Sequence, residues 1–581
     1  MLLLRPLKRF KPSHNSRSIH STPSYLCSST SNPTLTPTPK LRFAPSPTGF
    51  LHLGGLRTAL YNHLLARKMG GKWVLRIEDT DQTRYVEGAV ESLLKTLKWA
   101  KLDFDEGPGK DGGNGPYFQS KRKHIYDKHL EPLLSKGKAY HCFCTPERLA
   151  KTRKRLQKQG RNEGYDRKCA GLTREQVEDK LAKGEKSISS SQGLVQKDLI
   201  YDEIKYESLP LEDFVLRKSD GLPTYHFANV VDDYEMGITH VLRGEEWLPS
   251  TSKHLQLYEA LNLPKPLFAH LPLLINPDGS KLSKRTGDVA VEQYIEKGYE
   301  SSALLNFVAL LGWSPQSTSS SSPSTPLPPS ATEQKPAHPE STTDLLPLHQ
   351  LIESFSLDAV NKNRATLQGG KLDWLNRGHV RVALFDQSQG SDERRRELAG
   401  RVKEVVEKEI GGVEERDQEF YLAVVDALKD RLHTIKDIPS LGRYFFVEPD
   451  YDTPVSLKMY SLMNPKVYRD TLLAAIPILS SLPSSLFSLS LSPSSQDLEH
   501  SLLVSLSSIS IATPTPSPSP STTSSIDARK KASQIMSPLR HALTGQKVGA
   551  SVPGCVRVLG RDKVRERFEA AIRWSEGLEK K

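Results

Sequence analysis

Two short segments contain residue types that could handle a polyphosphate. The first is HLGG at 52–55, in RFAPSPTGFLHLGGLRTAL, where Pro, Ser, Thr and Gly separate an apolar, strand-like start from a helical run. The second is KLSKR at 281–285, where three cations lie on a loop between Gly279 and Gly287. Unpaired amides at a helix start bind phosphate, and mobile cations can stabilise a polyphosphate in transit. Together the two segments predict adenylyl transfer from ATP.

The imidazole and the loop cations have different expected roles. His52 precedes the helix N-terminus, so we expect it to donate to an α- or β-phosphate oxygen of ATP. The glycines after it would let the adenosine lie close to the backbone. Lys284 is expected to lie closest to the reacting α-phosphate, with Lys281 and Arg285 assisting departure of pyrophosphate. Either motif alone is more often a turn or a solvated charge patch, but their joint occurrence in this order favours function.

Two strand-like segments and a helix surround the first motif. LRFAP at 41–45 predicts a strand, Leu56–Met69 a helix, and KWVLRIEDTD at 72–81 a second strand that ends in acidic residues. A β-α-β start with glycines between the first strand and the helix is typical of a nucleotide-binding half.

The same α/β pattern resumes later in the chain. FVLR at 214–217, YHFANVVDD at 225–233 and THVLRG at 239–244 alternate with turns, and a helix is expected from Pro249 to Leu261. Residues from about 120 to 210 are richer in charge. The order predicts a Rossmann fold that is split by an inserted subdomain.

The chain of 581 residues is too long for one hydrophobic core. Its hydrophobic content of 37% is low for that length. The Ser/Pro-rich tracts at 316–343 and 480–525 account for the shortfall, and we expect both to be disordered because they cannot bury enough apolar surface. Periodic apolar residues in the last third predict a helical bundle, with helices at Leu398–Glu409, Glu419–Leu432 and Lys563–Gly577.

The N-terminal segment is basic and rich in Ser and Thr. The first acidic residue of the chain is Glu78, whereas the first 40 residues contain Arg5, Lys8, Arg9, Lys11, Arg17 and Lys40. This composition predicts a mitochondrial transit peptide; the alternative is a disordered basic tail. No stretch reaches the ~18 to 20 apolar residues that a membrane helix needs, so we expect a soluble protein without a membrane partner.

A net charge of +12 favours a polyanionic partner such as nucleic acid. The basic runs KRKH at 121–124 and KTRKRLQKQGR at 151–161 could bind closely spaced phosphates, or could simply be solvated. Five cysteines are too few for a disulfide framework. Cys142, Cys144 and Cys169 form the one cluster in the sequence.

With these motifs the chain resembles the glutamyl-tRNA synthetases of the bacterial and organellar type, which are class I aminoacyl-tRNA synthetases. The resemblance is strong from Leu41 to Trp313 and weaker through KLDWLN at 371–376, GRYFF at 442–446 and LRHALTGQKVGA at 539–550. HLGG stands where class I enzymes carry His-Ile-Gly-His, and glycine in the fourth place is usual for this branch. KLSKR stands for Lys-Met-Ser-Lys-Ser.

The resemblance implies an α/β Rossmann-type catalytic domain with an inserted acceptor-binding subdomain, followed by an all-α C-terminal anticodon-binding domain. The expected division is a disordered transit peptide at 1–39, Rossmann halves at 40–120 and 211–315, the insertion at 121–210, a disordered segment at 316–343, a stem-contact region at 344–390, and a helical domain at 391–581 interrupted by the disordered 480–525.

Site residues are implied in the same way. The glutamate-binding positions are Arg42, Ser46, Glu78, Tyr225, Asn229 and Arg243. The ATP-binding positions are Ser46, Thr48, His52, Gly54, Gly55, Glu246, Lys281, Ser283, Lys284 and Arg285, with His52, Lys284 and Lys281 as catalytic residues. Glu78 would hold the α-ammonium of glutamate, and the two arginines would bind its carboxylates through planar, bidentate guanidinium groups. Which arginine takes which carboxylate stays open.

The implied reaction joins L-glutamate to the 3′ end of tRNA(Glu) through glutamyl-adenylate, with Mg²⁺ bound through ATP, in the mitochondrial matrix, by a monomer. One alternative is a non-discriminating enzyme that also glutamylates tRNA(Gln), and an inactive tRNA-binding protein is another. Some bacterial members use Cys-x-Cys and a later Tyr-x-x-x-Cys as a structural zinc site. Here Cys142, Cys144 and Cys169 with Tyr165 therefore either bind Zn²⁺ or are metal-free.

Overall fold

The computed structural model describes most of the chain. The described residues are 2–4, 38–160, 165–173, 175–176, 189–190, 195–205, 213–276, 278–279, 290–315, 344–367, 369–386, 390–490, 495–507, 509 and 525–579. The KLSKR motif at 281–285 and the segment 316–343 lie outside them.

Backbone contacts divide the chain into two compact units. The first consists of Met1–Gln293, Leu305–Ser341 and Leu346–Gln368, and the second of Tyr294–Leu304, Thr342–Leu345 and Gly369–Lys581. No helix within the described ranges is long and apolar enough to cross a membrane.

The strands belong to the first unit. Their bounds are β1 Leu2–Leu4, β2 Lys40–Phe43, β3 Lys72–Leu75, β4 Ala139–His141, β5 Ser189–Ser190, β6 Val195–Asp198, β7 Asp202–Lys205, β8 Asp213–Arg217, β9 His240–Gly244, β10 Leu267–Leu271, β11 Leu274–Ile275 and β12 Ala365–Thr366.

The parallel strands of the first unit lie side by side. β2 pairs in parallel with β3, and β10 pairs in parallel with both β9 and β6. A hydrogen bond of 2.8 Å from the Thr239 amide to the Lys40 carbonyl joins β2 to the start of β9. The two predicted Rossmann halves therefore form neighbouring parts of one parallel arrangement.

Nine helices lie before residue 369 in the described part of the chain. Their bounds are α1 Leu53–Lys68, α2 Ala89–Trp99, α3 Lys123–Ser135, α4 Pro146–Lys158, α5 Tyr225–Glu235, α6 Leu248–Leu261, α7 Val291–Glu296, α8 Ser301–Leu310 and α9 Leu348–Ser354. Helix α1 begins three residues before the predicted start because the imidazole of His52 caps it, which leaves Gly54 and Gly55 inside the first turn.

The insertion is smaller than the predicted range 121–210. Helix α3 packs its apolar side, including Tyr126 and Leu130, into the core around Phe227 and Val231 of α5. Strand β6 pairs with β10, with Asp198 opposite Phe268. Both segments therefore belong to the Rossmann core, because α3 buries its apolar side there and β6 extends its sheet.

The prediction that all of 1–39 is disordered is wrong for three residues. Strand β1 pairs antiparallel with β4 and with β8, and Leu3 lies opposite Tyr140 and Val215. An apolar tripeptide beside two strands with unpaired edges can satisfy its backbone by completing the sheet. Residues 5–37 lie outside the described ranges.

The second unit is helical, as the sequence predicts, but its continuous C-terminal part begins at Gly369 rather than at 391. Its helices are α10 Gly369–Phe385, α11 Ser391–Glu409, α12 Gln418–Leu428, α13 Ile438–Leu441, α14 Pro454–Ser461, α15 Pro465–Ser481, α16 Ser495–Ser507, α17 Ser525–Thr544 and α18 Val552–Glu579, the last broken at Gly560. Their apolar faces meet in one core that includes Val402, Val424, Leu472, Leu539 and Phe568.

The prediction of disorder for 480–525 is wrong for its described residues up to 509. Helix α16 buries Leu502 and Leu506 in the core of the second unit, and Ile509 follows them there. Apolar residues at helical spacing outweigh the surrounding serines, since burying each leucine contributes about 1.5–3 kcal/mol. The Pro-rich remainder at 510–524 lies outside the described residues.

Candidate active site

Residues from both Rossmann halves line one cleft of about 460 Å³ in the first unit. The cleft brings together the predicted residues Arg42, Ser46, Thr48, His52, Gly54, Gly55, Glu78, Tyr225, Asn229, Arg243 and Glu246. The predicted loop residues Lys281, Ser283, Lys284 and Arg285 lie outside the described residues.

At one side of the cleft, His52 caps helix α1. Its Nδ1 accepts a hydrogen bond of 3.1 Å from the Gly55 amide, and its backbone is extended. An acceptor role for Nδ1 leaves the proton of a neutral imidazole on Nε2, which is the donor that a phosphate oxygen needs. The N-terminus of a helix of 16 residues adds partial positive charge at the same place.

The glycines of HLGG allow this arrangement sterically. A Cβ at Gly55 would lie 2.7 Å from Leu51 Cδ1, and one at Gly54 would lie 3.1 Å from His52 Nδ1. Glycine at 54 thus leaves room for the capping ring. The close approach to adenosine, which the sequence suggested for these residues, stays a prediction.

The chain returns to His52 directly after the KLSKR segment. Ala290 forms an antiparallel bridge with His52, and the Val291 amide donates to the Leu51 carbonyl at 2.8 Å. Lys284 precedes this anchor by six residues in the sequence.

Glu78 and Asn229 form an acceptor pair deeper in the cleft. Glu78 Oε1 accepts from Asn229 Nδ2 at 2.9 Å and from the Arg76 guanidinium at 3.2 Å. Burial raises the pKa of Glu78 above its ordinary value, and Arg76 opposes that rise. Asn229 Oδ1 is buried and has no hydrogen-bond partner among the described residues. A buried orphan acceptor beside a carboxylate suits an ammonium ligand.

Arg42 is already paired within the protein. Its Nε donates to Asp233 Oδ1 at 3.1 Å, and Arg76 donates to the same oxygen at 2.7 Å. Burial would raise the pKa of Asp233, but the two guanidinium groups lower it below its ordinary value. Asp233 is therefore ionised and compensates much of the charge that Arg42 brings to the cleft.

Arg243 differs from Arg42, because the groups that accept hydrogen bonds from its guanidinium are neutral. It donates to His270 Nε2 at 3.1 Å, to His254 Nδ1 at 3.1 Å, to Thr251 Oγ1 at 2.7 Å and to the Trp247 carbonyl at 3.4 Å. The side chain is buried, and burial lowers the pKa of Arg243. A buried guanidinium with neutral partners favours an anionic ligand.

Two aromatic rings form a wall beside these polar groups. Tyr225 packs against Trp247 with ring centroids 4.2 Å apart and the rings tilted by 31°, and burial raises the pKa of Tyr225 to about 12. Glu246 lies in the same cleft, where a Cβ at Gly244 would overlap with its carboxylate. Trp247, His254, His270, Thr251 and Asp233 were missed from the sequence. The acidic pair that ends YHFANVVDD could have signalled a buried counter-charge.

The sulfur atoms of the three clustered cysteines lie close together, around the Tyr165 hydroxyl. Tyr165 Oη lies 3.1 Å from Cys142 Sγ and 3.4 Å from Cys144 Sγ, and Cys144 Sγ lies 3.8 Å from Cys169 Sγ. All three sulfur atoms are within 4.8 Å of one another. Sulfur atoms bound to one tetrahedral Zn²⁺ at ~2.3 Å would lie roughly 3.7 Å apart, so the spacing fits such an ion.

One basic run is partly structural. Arg122 of KRKH is buried and donates to Asp232 Oδ1 at 2.7 Å, so its side chain faces the core rather than solvent. Lys121 and Lys123 are exposed, as are most of the cations on α4.

Two protein families match the chain. Residues 40–325 match the class I tRNA synthetase (E and Q) catalytic domain, and residues 397–487 and 527–572 match an anticodon-binding domain. Glutamate–tRNA ligase of Chloroherpeton thalassium is 42% identical over 432 residues, 72% of this chain and 80% of that protein. That of Alkaliphilus metalliredigens is 35% identical over 545 residues, 91% and 98% of the two chains.

Solved structures agree with these matches. The crystal structure of a glutamate-tRNA synthetase from Elizabethkingia anophelis has a TM-score of 0.68 at 31% identity, covering 92% of this chain and all of that one. A glutamate tRNA ligase from Elizabethkingia meningosepticum, solved with its amino acid, has a TM-score of 0.69 at 31% identity over 92% and 99% of the chains. The predicted family and fold class are confirmed. The chain therefore belongs to the glutamate–tRNA ligase family of class I aminoacyl-tRNA synthetases.

Proposed function

We propose that this glutamate–tRNA ligase converts L-glutamate and ATP into glutamyl-adenylate and transfers the glutamyl group to tRNA(Glu) in the mitochondrial matrix. One observation carries the proposal. A single cleft contains a buried guanidinium with neutral partners, an acceptor pair for an ammonium group, and a histidine-capped helix N-terminus. These three features match a carboxylate, the α-ammonium of an amino acid and a phosphate.

Glutamate would bind in the deeper part of the cleft. Glu78 and Asn229 Oδ1 accept from its α-ammonium, and Arg243 donates to a carboxylate. Arg42 lies in the same cleft, but Asp233 reduces its charge. The Tyr225 and Trp247 rings form one side of this part of the cleft. The neutral hydrogen-bond partners of Arg243 make it the stronger of the two anion-binding groups.

ATP would place its phosphates against α1. His52 Nε2 donates to an α- or β-phosphate oxygen, and Glu246 lies near the ribose or base. Mg²⁺ bound through the phosphates would neutralise part of their charge. The motif assigns Lys284 to the reacting phosphate and Lys281 and Arg285 to the leaving pyrophosphate.

The chemistry needs no nucleophilic side chain. A carboxylate oxygen of glutamate forms a bond to the α-phosphorus, and the bond between that phosphorus and the β-phosphate oxygen breaks, releasing pyrophosphate. A ribose hydroxyl of the terminal adenosine of tRNA then attacks the glutamyl carbonyl, and AMP leaves. Alignment and charge stabilisation supply the catalysis.

The tRNA acceptor arm would lie along α4. Lys151, Lys154, Arg155 and Lys158 are exposed on that helix, and exposed cations bind phosphates in a salt-dependent way. A monomer would be the working unit. The basic, acid-free leader supports import into mitochondria.

The cysteine cluster would hold a structural Zn²⁺. Cys142, Cys144 and Cys169 offer three sulfur ligands, and the Tyr165 hydroxyl lies among them as an oxygen donor. A hydrogen bond from Cys142 lowers the pKa of Cys169, which favours the thiolate that a metal requires. The ion would tie β4 to the loop at 165–169.

Aminoacylation with radiolabelled glutamate and separate mitochondrial tRNA(Glu) and tRNA(Gln) tests the reaction. We expect charging of tRNA(Glu). Charging of both would establish the non-discriminating activity instead, and charging of neither would contradict a ligase function. A fusion of residues 1–40 to a fluorescent protein tests import: we expect mitochondrial fluorescence, and diffuse cytosolic fluorescence would contradict the matrix location.

A further inference from the structure

Arg243, His270 and Asp198 form a row across three neighbouring strands. Arg243 lies on β9 directly opposite His270 on β10, and Asp198 ends β6 on the other side of β10. All three side chains are buried. The parallel register of the sheet therefore brings together residues from the second Rossmann half and from the segment that the sequence assigned to the insertion.

Hydrogen bonds connect this row in a defined direction. Asp198 Oδ2 lies 2.6 Å from His270 Nδ1, and His270 Nε2 lies 3.1 Å from Arg243 Nε. An ionised carboxylate only accepts, and a guanidinium only donates. His270 must then carry its proton on Nδ1 and offer a lone pair on Nε2.

The other oxygen of Asp198 is held by the backbone. Oδ1 accepts from the amides of Ile200 and Tyr201, each at 3.0 Å, and from that of His270 at 3.4 Å. The carboxylate is thereby fixed in one orientation, with Oδ2 left for the imidazole. Thr251 Oγ1 touches both Arg243, at 2.7 Å, and His270 Nε2, at 3.2 Å.

We propose that Asp198 and His270 are positioning residues for glutamate binding: Asp198 fixes the tautomer of His270, and His270 in turn orients the guanidinium of Arg243 toward the substrate carboxylate. The proposal rests on the proposed function of Arg243. It explains why the cation has a neutral partner on this side: an acceptor without charge orients Arg243 without competing with the carboxylate of glutamate. Burial lowers the pKa of His270, which keeps the ring neutral.

Asp198→Asn tests the direction of the hydrogen bonds that connect Asp198, His270 and Arg243. The amide oxygen would take the Oδ1 position, where three backbone amides donate, and the NH₂ group would face His270 Nδ1. His270 would then carry its proton on Nε2, pointing at a guanidinium that can only donate. Losing a hydrogen bond to a charged group corresponds to about a ten- to hundredfold change in an equilibrium constant.

We therefore expect Asp198→Asn to raise the KM for glutamate about ten- to hundredfold in a tRNA-charging assay and to change the KM for ATP less than twofold. In ¹⁵N-histidine spectra, the resonances that disappear in His270→Gln identify His270. In Asp198→Asn these resonances should show that the proton has moved from Nδ1 to Nε2. Asp202→Asn is the matched control, because Asp202 is an exposed β7 residue four positions further along; we expect wild-type constants.

An unchanged KM for glutamate in folded Asp198→Asn, or an equal rise in both KM values, would overturn the proposal. If that variant fails to fold, His270→Gln and His270→Leu provide a second comparison. The glutamine amide can donate to Asp198 and accept from Arg243, whereas leucine can do neither. We expect a KM for glutamate within about threefold of wild type for glutamine and a rise of tenfold or more for leucine. Equal values for the two would overturn the proposal, while absence of charging by the wild-type chain would contradict the proposed function instead.

Discussion

Asn229 Nδ2 donates a hydrogen bond of 2.9 Å to Glu78 Oε1, although 151 residues separate the two. Glu78 follows β3 in the first Rossmann half, and Asn229 lies in α5 of the second. The bond fixes the amide of a residue that lines the cleft, and its buried Oδ1 has no hydrogen-bond partner among the described residues. This pair is the part of the site best suited to bind an ammonium group.

Asn229→Leu should weaken glutamate binding selectively. The substitution keeps the side-chain size but removes both the orphan acceptor and the bond to Glu78, so the KM for glutamate should rise about tenfold or more. Steady-state charging kinetics at saturating ATP would measure it. A comparable rise in the KM for ATP would show that the residue supports the fold rather than the amino acid.

Gly244→Ala should act through Glu246. The new methyl group overlaps with the Glu246 carboxylate and displaces it, so we expect the KM for ATP to rise several-fold while the KM for glutamate stays within twofold. The backbone of Gly244, with φ −64° and ψ 149°, accepts alanine without strain.

A double variant separates this effect from general damage. Gly244→Ala with Glu246→Ala should have the same KM for ATP as Glu246→Ala alone, because the displaced group is then absent. Additive effects in the double variant would contradict the explanation.

The sequence predicted much of this site because its motifs are local. HLGG places a histidine at a helix start, and RIED places Glu78 at the end of a strand, so spacing alone positions them. The supporting partners depend on sheet register. His270 contacts Arg243, 27 positions away in the sequence, and Asp198, 72 positions away. A local sequence pattern cannot predict such contacts.

The errors in the fold have a similar cause. Composition predicted disorder for the serine-rich segment that contains α16, but Leu502 and Leu506 are buried by helices from elsewhere in the chain. Strand β1, at Leu2–Leu4, pairs with two strands more than 130 residues away in the sequence. Composition measures what a segment contains, whereas burial depends on what covers it.

Cys169→Ser should lower the zinc content of the purified chain. Loss of one of three sulfur ligands at this spacing should reduce bound zinc from about one per chain to well below half. Elemental analysis after dialysis measures it. Cys555→Ser is the matched control, since Cys555 is a buried cysteine in the second unit and should leave the zinc content unchanged. Absence of zinc from the wild-type chain would establish metal-free cysteines.

His541 should make the second unit less stable in mild acid. Its ring is buried between Ser456 Oγ at 2.8 Å and Tyr468 Oη at 2.9 Å, and burial lowers the pKa of His541 to about 4. The unfolded chain has the ordinary histidine pKa near 6.5, so it binds the proton more readily. The contribution to stability is full above about pH 6.5 and is lost as the pH falls toward 4.

The matched variant is His541→Gln, which cannot titrate. The wild type should lose stability relative to this variant as the pH falls. The difference between their free energies of unfolding should change by about 2 kcal/mol from pH 7 to pH 5. Urea unfolding followed by tryptophan fluorescence measures the difference; Trp574, whose ring centroid lies 5.5 Å from that of His541, contributes to that signal. A difference that does not depend on pH would contradict the lowered pKa.

The most direct test of the central claim is the crystal structure of the chain with a non-hydrolysable glutamyl-adenylate analogue. The α-ammonium should lie within hydrogen-bond distance of Glu78 and Asn229 Oδ1. The side-chain carboxylate or the α-carbonyl oxygen of the glutamyl group should lie near Arg243. The phosphate surrogate should lie at His52, with a cation of the 281–285 loop beside it. An analogue bound outside the cleft, or bound with its glutamyl and adenosine ends exchanged, would contradict the account.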